Sequence, residues 1–583
     1  MERGYTDEKN ILILIALLKA HGIRKVIVSP GATNVSFVGS IQYDPWFELY
    51  SCVDERSAAY MACGLAYESG EPVCLSCTGA TASRNYMPGL TEAFYRKLPI
   101  LVITSSQHLG RVGQLVPQVT DRSNPPKDVV KFSAAIPPVH TSEDEWSCMI
   151  NINKAILELK RHGGGPAHLN VITTYSTRFN VKALPHVNAI QRIMPHDPFP
   201  ELPKGRIGIF VGSHKRFSKE LEKTIDDFCE AFNGVVFCDH TSGYHGKFKV
   251  LSEIIAGQRT EKELPDLMIH IGEVSGAYYS FALANTQVWR VSEDGEIKDP
   301  FKRLTKVFEM PEKTFFERYL KNNSSKSSTT EYYYICRQRE EDLRKKIPEL
   351  PFSNIWLAQQ VAHQLPEHSV VHFGILNSLR SWNFFRLPES VESISNVGGF
   401  GIDGPISTLL GASLANKNKL YFLVTGDLAF FYDINALGNR HVGNNIRILL
   451  VNNGRGMEFR NYNHRAQQFG EEADWYIAAA GHFGNQSPNL VKHFVQNLGF
   501  EYFSASNKDE FLSHIKYFVD PSIGEKPIVF EVFTKPEDES KALEIMLNLD
   551  NDLKVYAKDA VKSAIKTLAG DKGIDMVKKL LKK

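Results

Sequence analysis

Three residues stand where a chain can do chemistry. Glu55 closes the stretch Val53-Asp54-Glu55 and is followed by the small-residue helical pattern Ser57-Ala58-Ala59-Tyr60-Met61-Ala62. Far downstream, Gly426-Asp427-Leu428 ends the apolar run Leu420–Val424, and Asn452-Asn453 ends a second run, Ile448–Val451. A carboxylate and an amide oxygen at the ends of neighbouring apolar strands suit a hard cation. Magnesium takes oxygen ligands in octahedral geometry and shares them with phosphate oxygens. Strand carboxyl ends are where open α/β sheets bind ligands. The small residues around Gly426 and Ala429 would let a helix start approach a diphosphate, and the turn Gly454-Arg455-Gly456 would let a backbone carbonyl turn inward. Each piece alone has a plain alternative. Gly-Asp and Asn-Asn often mark mere turns, and Glu55 could be a helix N-terminal acid favoured by the macrodipole. The weight comes from both strand ends occurring in order, with the acid upstream in a separate α/β unit.

The elements that must position them read as α/β throughout. Lys25–Val28, Pro72–Ser76, Pro99–Thr104 and Gly165–Val171 are continuous apolar strands, with helical patterns such as Asn85–Arg96 between them. Such strands imply parallel sheets covered on both faces. The predicted architecture is three doubly wound parallel-sheet domains, at residues 1–185, 186–345 and 346–540, with a lysine-rich helical C-terminal extension at 541–583. In the central part, Gly205–Gly212, Asp266–Gly272 and Gln287–Val291 read as strands, and no G-x-G-x-x-G fingerprint accompanies them, so a sheet without its own nucleotide is expected. The polar stretch Asn322–Thr330 reads as a surface loop or linker. The tail reads as a packed amphipathic helix pair, with a partner-binding arm or a membrane-surface element as alternatives.

Composition narrows the class. A chain of 583 residues exceeds one ordinary domain. Its net charge of +1 gives no reason to expect nucleic-acid binding. Ile11–Leu18 is too short to span a bilayer and reads as a buried helix. The first nine residues lack a signal-peptide core, so a cytoplasmic location is expected. Eight scattered cysteines fit a reducing compartment. Cys74 and Cys77 form a lone C-x-x-C in an apparent strand, where they would face opposite sides; two ordinary buried thiols are expected rather than a metal or redox pair.

Together these segments resemble the three-domain thiamine diphosphate (ThDP) enzymes related to acetohydroxyacid synthase and pyruvate decarboxylase, over about residues 5–535. Within that group, Ser29-Pro30-Gly31, Asp54-Glu55-Arg56-Ser57, Gly401–Thr408 and Gly426-Asp427-Leu428 are most similar to segments of the menaquinone-pathway synthases that make 2-succinyl-5-enolpyruvyl-6-hydroxy-3-cyclohexene-1-carboxylate. The resemblance implies that Glu55 bonds the aminopyrimidine and shares its proton. It implies that Ile402 props the cofactor, the alternative being an ordinary core residue. It implies cofactor contacts at Gly79, Ser378, Gly426, Asp427, Leu428, Ala429 and Asn453, and magnesium ligands at Asp427, Asn453 and the Arg455 carbonyl. It also implies a homodimer or dimer of dimers, with the acid and the diphosphate turn of one site coming from different subunits. FAD is conceivable by analogy with acetohydroxyacid synthase, but nothing in the sequence supports it.

The chain departs from the synthases at substrate positions. Ala32-Thr33 replaces a Ser-Arg pair, Val397 stands where an arginine follows Asn396, and Trp382 aligns near another arginine, with Arg380 close by. Arginine forks suit carboxylates. Their loss implies a specialised pathway rather than the menaquinone reaction itself. Thr33, Arg111, Gln118 and Arg380 remain as candidate substrate contacts. Glu458, where an apolar residue is usual, is a candidate acid/base or substrate contact, or else a rim carboxylate. The expected activity is ThDP- and magnesium-dependent decarboxylation of a 2-oxo acid with transfer of the acyl anion to a small-molecule acceptor. Simple decarboxylation to an aldehyde and a catalytically silent scaffold are the alternatives.

Overall fold

A computed structural model describes residues 4–259, 263–284, 286–322, 329–482 and 487–550. The chain divides into two compact units, Met1–Phe199 with Glu293–Met310, and Pro200–Ser292 with Pro311–Lys583. The expected α/β class holds: parallel sheets with flanking helices account for both units.

The first unit carries a six-stranded parallel sheet in the order Glu48–Ser51, Lys25–Val28, Val73–Cys77, Ile100–Ser106, Ala167–Ile172, Phe132–Ile136. Its inner strands are buried along their length, as expected of strands covered on both faces. On one side lies the helix Lys9–Ala20, in which every residue from Ile11 to Leu18 is buried. On the other lies the helix Glu55–Ser69, whose buried face is Ala58, Ala59, Ala62, Cys63 and Ala66. These small residues permit close approach: a Cβ added to Gly89 of the helix Met87–Tyr95 would lie 2.5 Å from the Ala59 Cβ. Cys74 packs into the core on one face of the sheet and Cys77 into the core on the other. Both thiols are free, and burial pushes that of Cys77 up to about 12.

In the second unit, residues 200–292 form parallel strands in the order Lys249–Leu251, Gly234–Cys238, Ile207–Val211, Leu267–Ile271, Gln287–Ser292. Residues 311–550 form a further six-stranded parallel sheet ordered Glu392–Ser395, Val370–Phe373, Tyr421–Gly426, Ile446–Asn452, Ile528–Phe533, Glu501–Ala505. The register pairs Gly426 with Val451, so Asp427 and Asn453 leave neighbouring strands at one end of the sheet. The helix Pro536–Met546 buries Ala542, Leu543 and Met546, which places the start of the expected lysine-rich extension on the body. The rest of that extension, 551–583, lies outside the described residues, as does 323–328 of the expected linker. Among the described residues no helix is long and apolar enough to cross a membrane.

Candidate functional site

In the second unit the strand Tyr421–Gly426 passes directly into the short helix Asp427–Tyr432. The Asp427 carboxylate is buried and accepts the Gly454 amide at 2.6 Å and its neighbour Leu428's amide at 2.9 Å. Burial pushes the Asp427 carboxyl up to about 7, outweighing these amides and those of Asp427 itself and Arg455. Gly454 takes a positive φ of 78°, which turns the chain after Asn453 back toward Asp427. The side-chain oxygen of Asn453 is shielded and has no hydrogen-bond partner. A shielded acceptor without a donor costs about 1–3 kcal/mol. A buried carboxylate beside an orphaned amide oxygen is the donor set a hard cation satisfies. A Cβ built on Gly426 meets nothing within 4 Å, which leaves open space at the strand end. Ala429 is buried behind that corner and Leu428 half-buried beside it. The residues therefore fit a magnesium–diphosphate group. Ile402 is half-buried rather than part of the core, so its apolar side chain has a free face.

Ser378 and Arg380 lie on the buried helix Asn377–Trp382. Arg380 grips Glu458 with both prongs, Nη1 to Oε2 at 2.9 Å and Nη2 to Oε1 at 3.1 Å. The ring of Tyr278 lies 3.9 Å from the guanidinium, at cation–π distance. Burial works against the charge on Arg380, and the facing Glu458 carboxylate outweighs it, so its pKa lies above the usual range. Behind Tyr278, the carboxyl of Glu253 accepts the amides of Tyr278 (2.9 Å) and Tyr279 (3.3 Å) and the Ser280 hydroxyl (3.1 Å). Burial pushes Glu253 up to about 7.

In the first unit, Glu55 is half-buried at the first turn of its helix and accepts the Asn85 amide at 3.3 Å. Capping is done by Asp54, which accepts the Ser57 amide at 3.0 Å. Thr33 is buried, and its hydroxyl meets Thr78 at 2.5 Å and the Ser105 carbonyl at 2.8 Å. A Cβ on Gly79 would meet the Arg122 guanidinium at 2.7 Å and the Gln118 carbonyl at 3.2 Å. The structure thus gathers Thr33, Gly79 and the backbone of Gln118 around the carboxyl ends of adjacent strands. Arg111 stands apart, exposed and bonded to the Gln107 side chain. Arg122, Tyr278 and Glu253 escaped the sequence reading. No local pattern marks a half-buried arginine or a buried glutamate, because their burial comes from elements distant in the chain.

A buried acid and an orphaned amide oxygen on adjacent strand ends of a parallel sheet make a site whose donors fit a diphosphate cofactor. The family model described as "Thiamine pyrophosphate enzyme, N-terminal TPP binding domain" matches residues 12–124. The 2-succinyl-5-enolpyruvyl-6-hydroxy-3-cyclohexene-1-carboxylate synthase of Bacteroides fragilis is 31% identical over 564 residues, covering 92% of this chain and 98% of its own length. The synthase of the same name from Bacteroides thetaiotaomicron is 32% identical with the same coverage, and that from Flavobacterium psychrophilum 27% over 89% and 95%. This chain belongs to the thiamine pyrophosphate-dependent enzymes, in the group that contains these synthases. One expectation is thereby corrected. The missing arginines were read as favouring a specialised pathway over the menaquinone reaction, yet relatives aligned along nearly the whole chain carry that synthase's name. The reading failed because an arginine's role depends on where its guanidinium arrives in space. Arg380 is buried two positions from the aligned arginine site, and Arg122 is drawn inward from a position that no motif marked.

Proposed function

We propose that this chain catalyses the reaction for which its relatives are named. The product's name states the chemistry. A succinyl group is joined to a cyclohexene ring that also bears an enolpyruvyl ether and a carboxylate. A succinyl nucleophile arises when the five-carbon 2-oxo diacid 2-oxopentanedioate loses carbon dioxide. The new carbon–carbon bond then forms at one end of a ring double bond, and a proton adds at the other end. ThDP, when bound, supplies the electron sink that makes this decarboxylation feasible.

The chain's own residues hold and orient. Asp427, the Asn453 side-chain oxygen and the Arg455 carbonyl would hold magnesium, with the open corner at Gly426 admitting the diphosphate. Glu55 would hold the aminopyrimidine and share a proton with it; that role is independent of capping, which Asp54 performs. Both substrates are acids, and a guanidinium is the group that reads a carboxylate in two-pronged fashion. Arg380 is such a group, currently engaged by Glu458. The assembly proposed is a homodimer or dimer of dimers.

The alignment along nearly all of both chains supports the reaction, and the observation in the fold that carries the cofactor reading is the orphaned Asn453 oxygen beside Asp427. The test is incubation of the full chain with ThDP, magnesium, 2-oxopentanedioate and the enolpyruvyl cyclohexadiene carboxylate, with products read by mass spectrometry. Formation of the succinyl adduct is expected. Carbon dioxide release with only a free aldehyde product would overturn the proposal.

A further inference from the structure

We infer that Arg122 is the cation that binds a substrate carboxylate in the first unit, in a small cavity beside the loop at Gly79. The inference rests on the proposed reaction, whose substrates are both acids.

The guanidinium of Arg122 has one protein acceptor, the Asn170 side-chain oxygen at 3.1 Å, while its Nε and Nη2 are shielded from solvent and have no partner. Burial lowers its pKa, and the nearby Arg84 adds like charge. A shielded cation lacking a counter-charge is costly, and its N–H groups remain unsatisfied until an anion arrives. A surface arginine would swing into water, but this one is held against Gly79, where even a methyl group would collide with Nη2 at 2.7 Å.

The space before it is a cavity of about 190 Å³. That is smaller than the roughly 300–1,000 Å³ of sites for drug-sized ligands. Met87, Leu90 and Val102 give it apolar walls, and Thr104 and His168 a polar side. His168 adds no charge, because burial lowers its pKa to about 4. Both its ring nitrogens are engaged, with Thr104 at 2.8 Å and Ser133 at 2.9 Å. Asp121 also lines the cavity; its Oδ1 accepts the Ser123 amide at 2.9 Å and the Ser123 hydroxyl, and the charge that acts on its carboxylate is that of Arg84, on the same lining. The two unsatisfied nitrogens of Arg122, beside apolar walls, fit a carboxylate on a small carbon frame. Arg122 would thus replace the arginine missing at Ala32-Thr33.

The test uses the full chain and a calorimetric titration with two probes, succinate for the donor's acid and cyclohex-1-ene-1-carboxylate for the acceptor's. The Arg122→Gln variant should weaken one of them at least tenfold, and Arg122→Lys should weaken it less. Whichever probe responds identifies the substrate, and in turnover the KM of that substrate should rise while kcat changes little. Equal binding of both probes by wild type and Arg122→Gln would overturn the inference. So would unchanged affinity with an altered oligomeric state, which would assign the fork to an acid of a second copy. Binding is read without turnover. A chain that makes no adduct but shows the Arg122 dependence would sink the proposed reaction and leave this assignment standing.

Discussion

Arg380 and Glu458, 78 residues apart in sequence, face each other as a two-pronged ion pair with Nη1–Oε2 at 2.9 Å and Nη2–Oε1 at 3.1 Å. The arginine side chain is 4% exposed and the glutamate 14%, so the pair is largely shielded. Removing one member of such a pair leaves a buried charge without compensation. Glu458→Ala should therefore cost about 3 kcal/mol, near the lower end for broken buried pairs. The double variant Glu458→Ala with Arg380→Met should recover most of the loss. Thermal unfolding midpoints of the single and double variants check this, and strict additivity would contradict it.

Asn453 supports a prediction in which stability and binding separate. Its side-chain oxygen is shielded and unsatisfied without a cation. Asn453→Ala should leave the cofactor-free protein as stable as wild type or slightly more so, by up to ~1 kcal/mol. The same change should weaken magnesium-dependent ThDP binding at least tenfold. Fluorescence titration with ThDP at several magnesium concentrations, beside a melting curve without either, reads both effects. A destabilised apo-protein that binds normally would refute the assignment.

The first helix turn separates two neighbouring acids. Asp54→Ala removes the cap and should cost about 1 kcal/mol. Glu55→Gln should leave the melting temperature unchanged and cut carbon dioxide release from the donor by about a hundredfold or more, within the range given by losing a proton-transfer group. A Glu55→Gln enzyme of full activity would return Glu55 to the status of an ordinary helix-start acid.

Glu253 sets a pH dependence of stability. Its carboxyl is raised from the ordinary 4.5 to about 7 by burial. Between these values the folded chain retains a proton that the unfolded chain has released. The folded state binds more protons, so stability falls as pH rises through this window, by on the order of 3 kcal/mol for this group. Glu253→Gln should flatten that part of the profile between pH 4.5 and 7. Melting curves across pH for both proteins decide it, and an unchanged slope would show that Glu253 ionises normally.

The buried helix at Ile11–Leu18, the strand ends at Gly426 and Asn452, and the opposed cysteines of Val73–Cys77 were legible because each is written in local periodicity. A fully apolar run, a period of two and a glycine at a strand end need only neighbours in sequence to be read. The arginines were misjudged for the converse reason. Counting them at aligned positions ignored that a long side chain can arrive from elsewhere, as Arg122 does beside Gly79.

The sequence by itself determined the α/β class, the order of the apolar strands and the residue types available at their carboxyl ends, because hydrophobic periodicity and turn chemistry act over a few residues. Only the tertiary structure decided which polar atoms were left without partners. It buried Asp427 and raised its carboxyl, stranded the Asn453 oxygen, locked Arg380 onto Glu458 and left two Arg122 nitrogens unsatisfied. Desolvation and pairing depend on groups brought together across tens to hundreds of residues, and no local pattern encodes them.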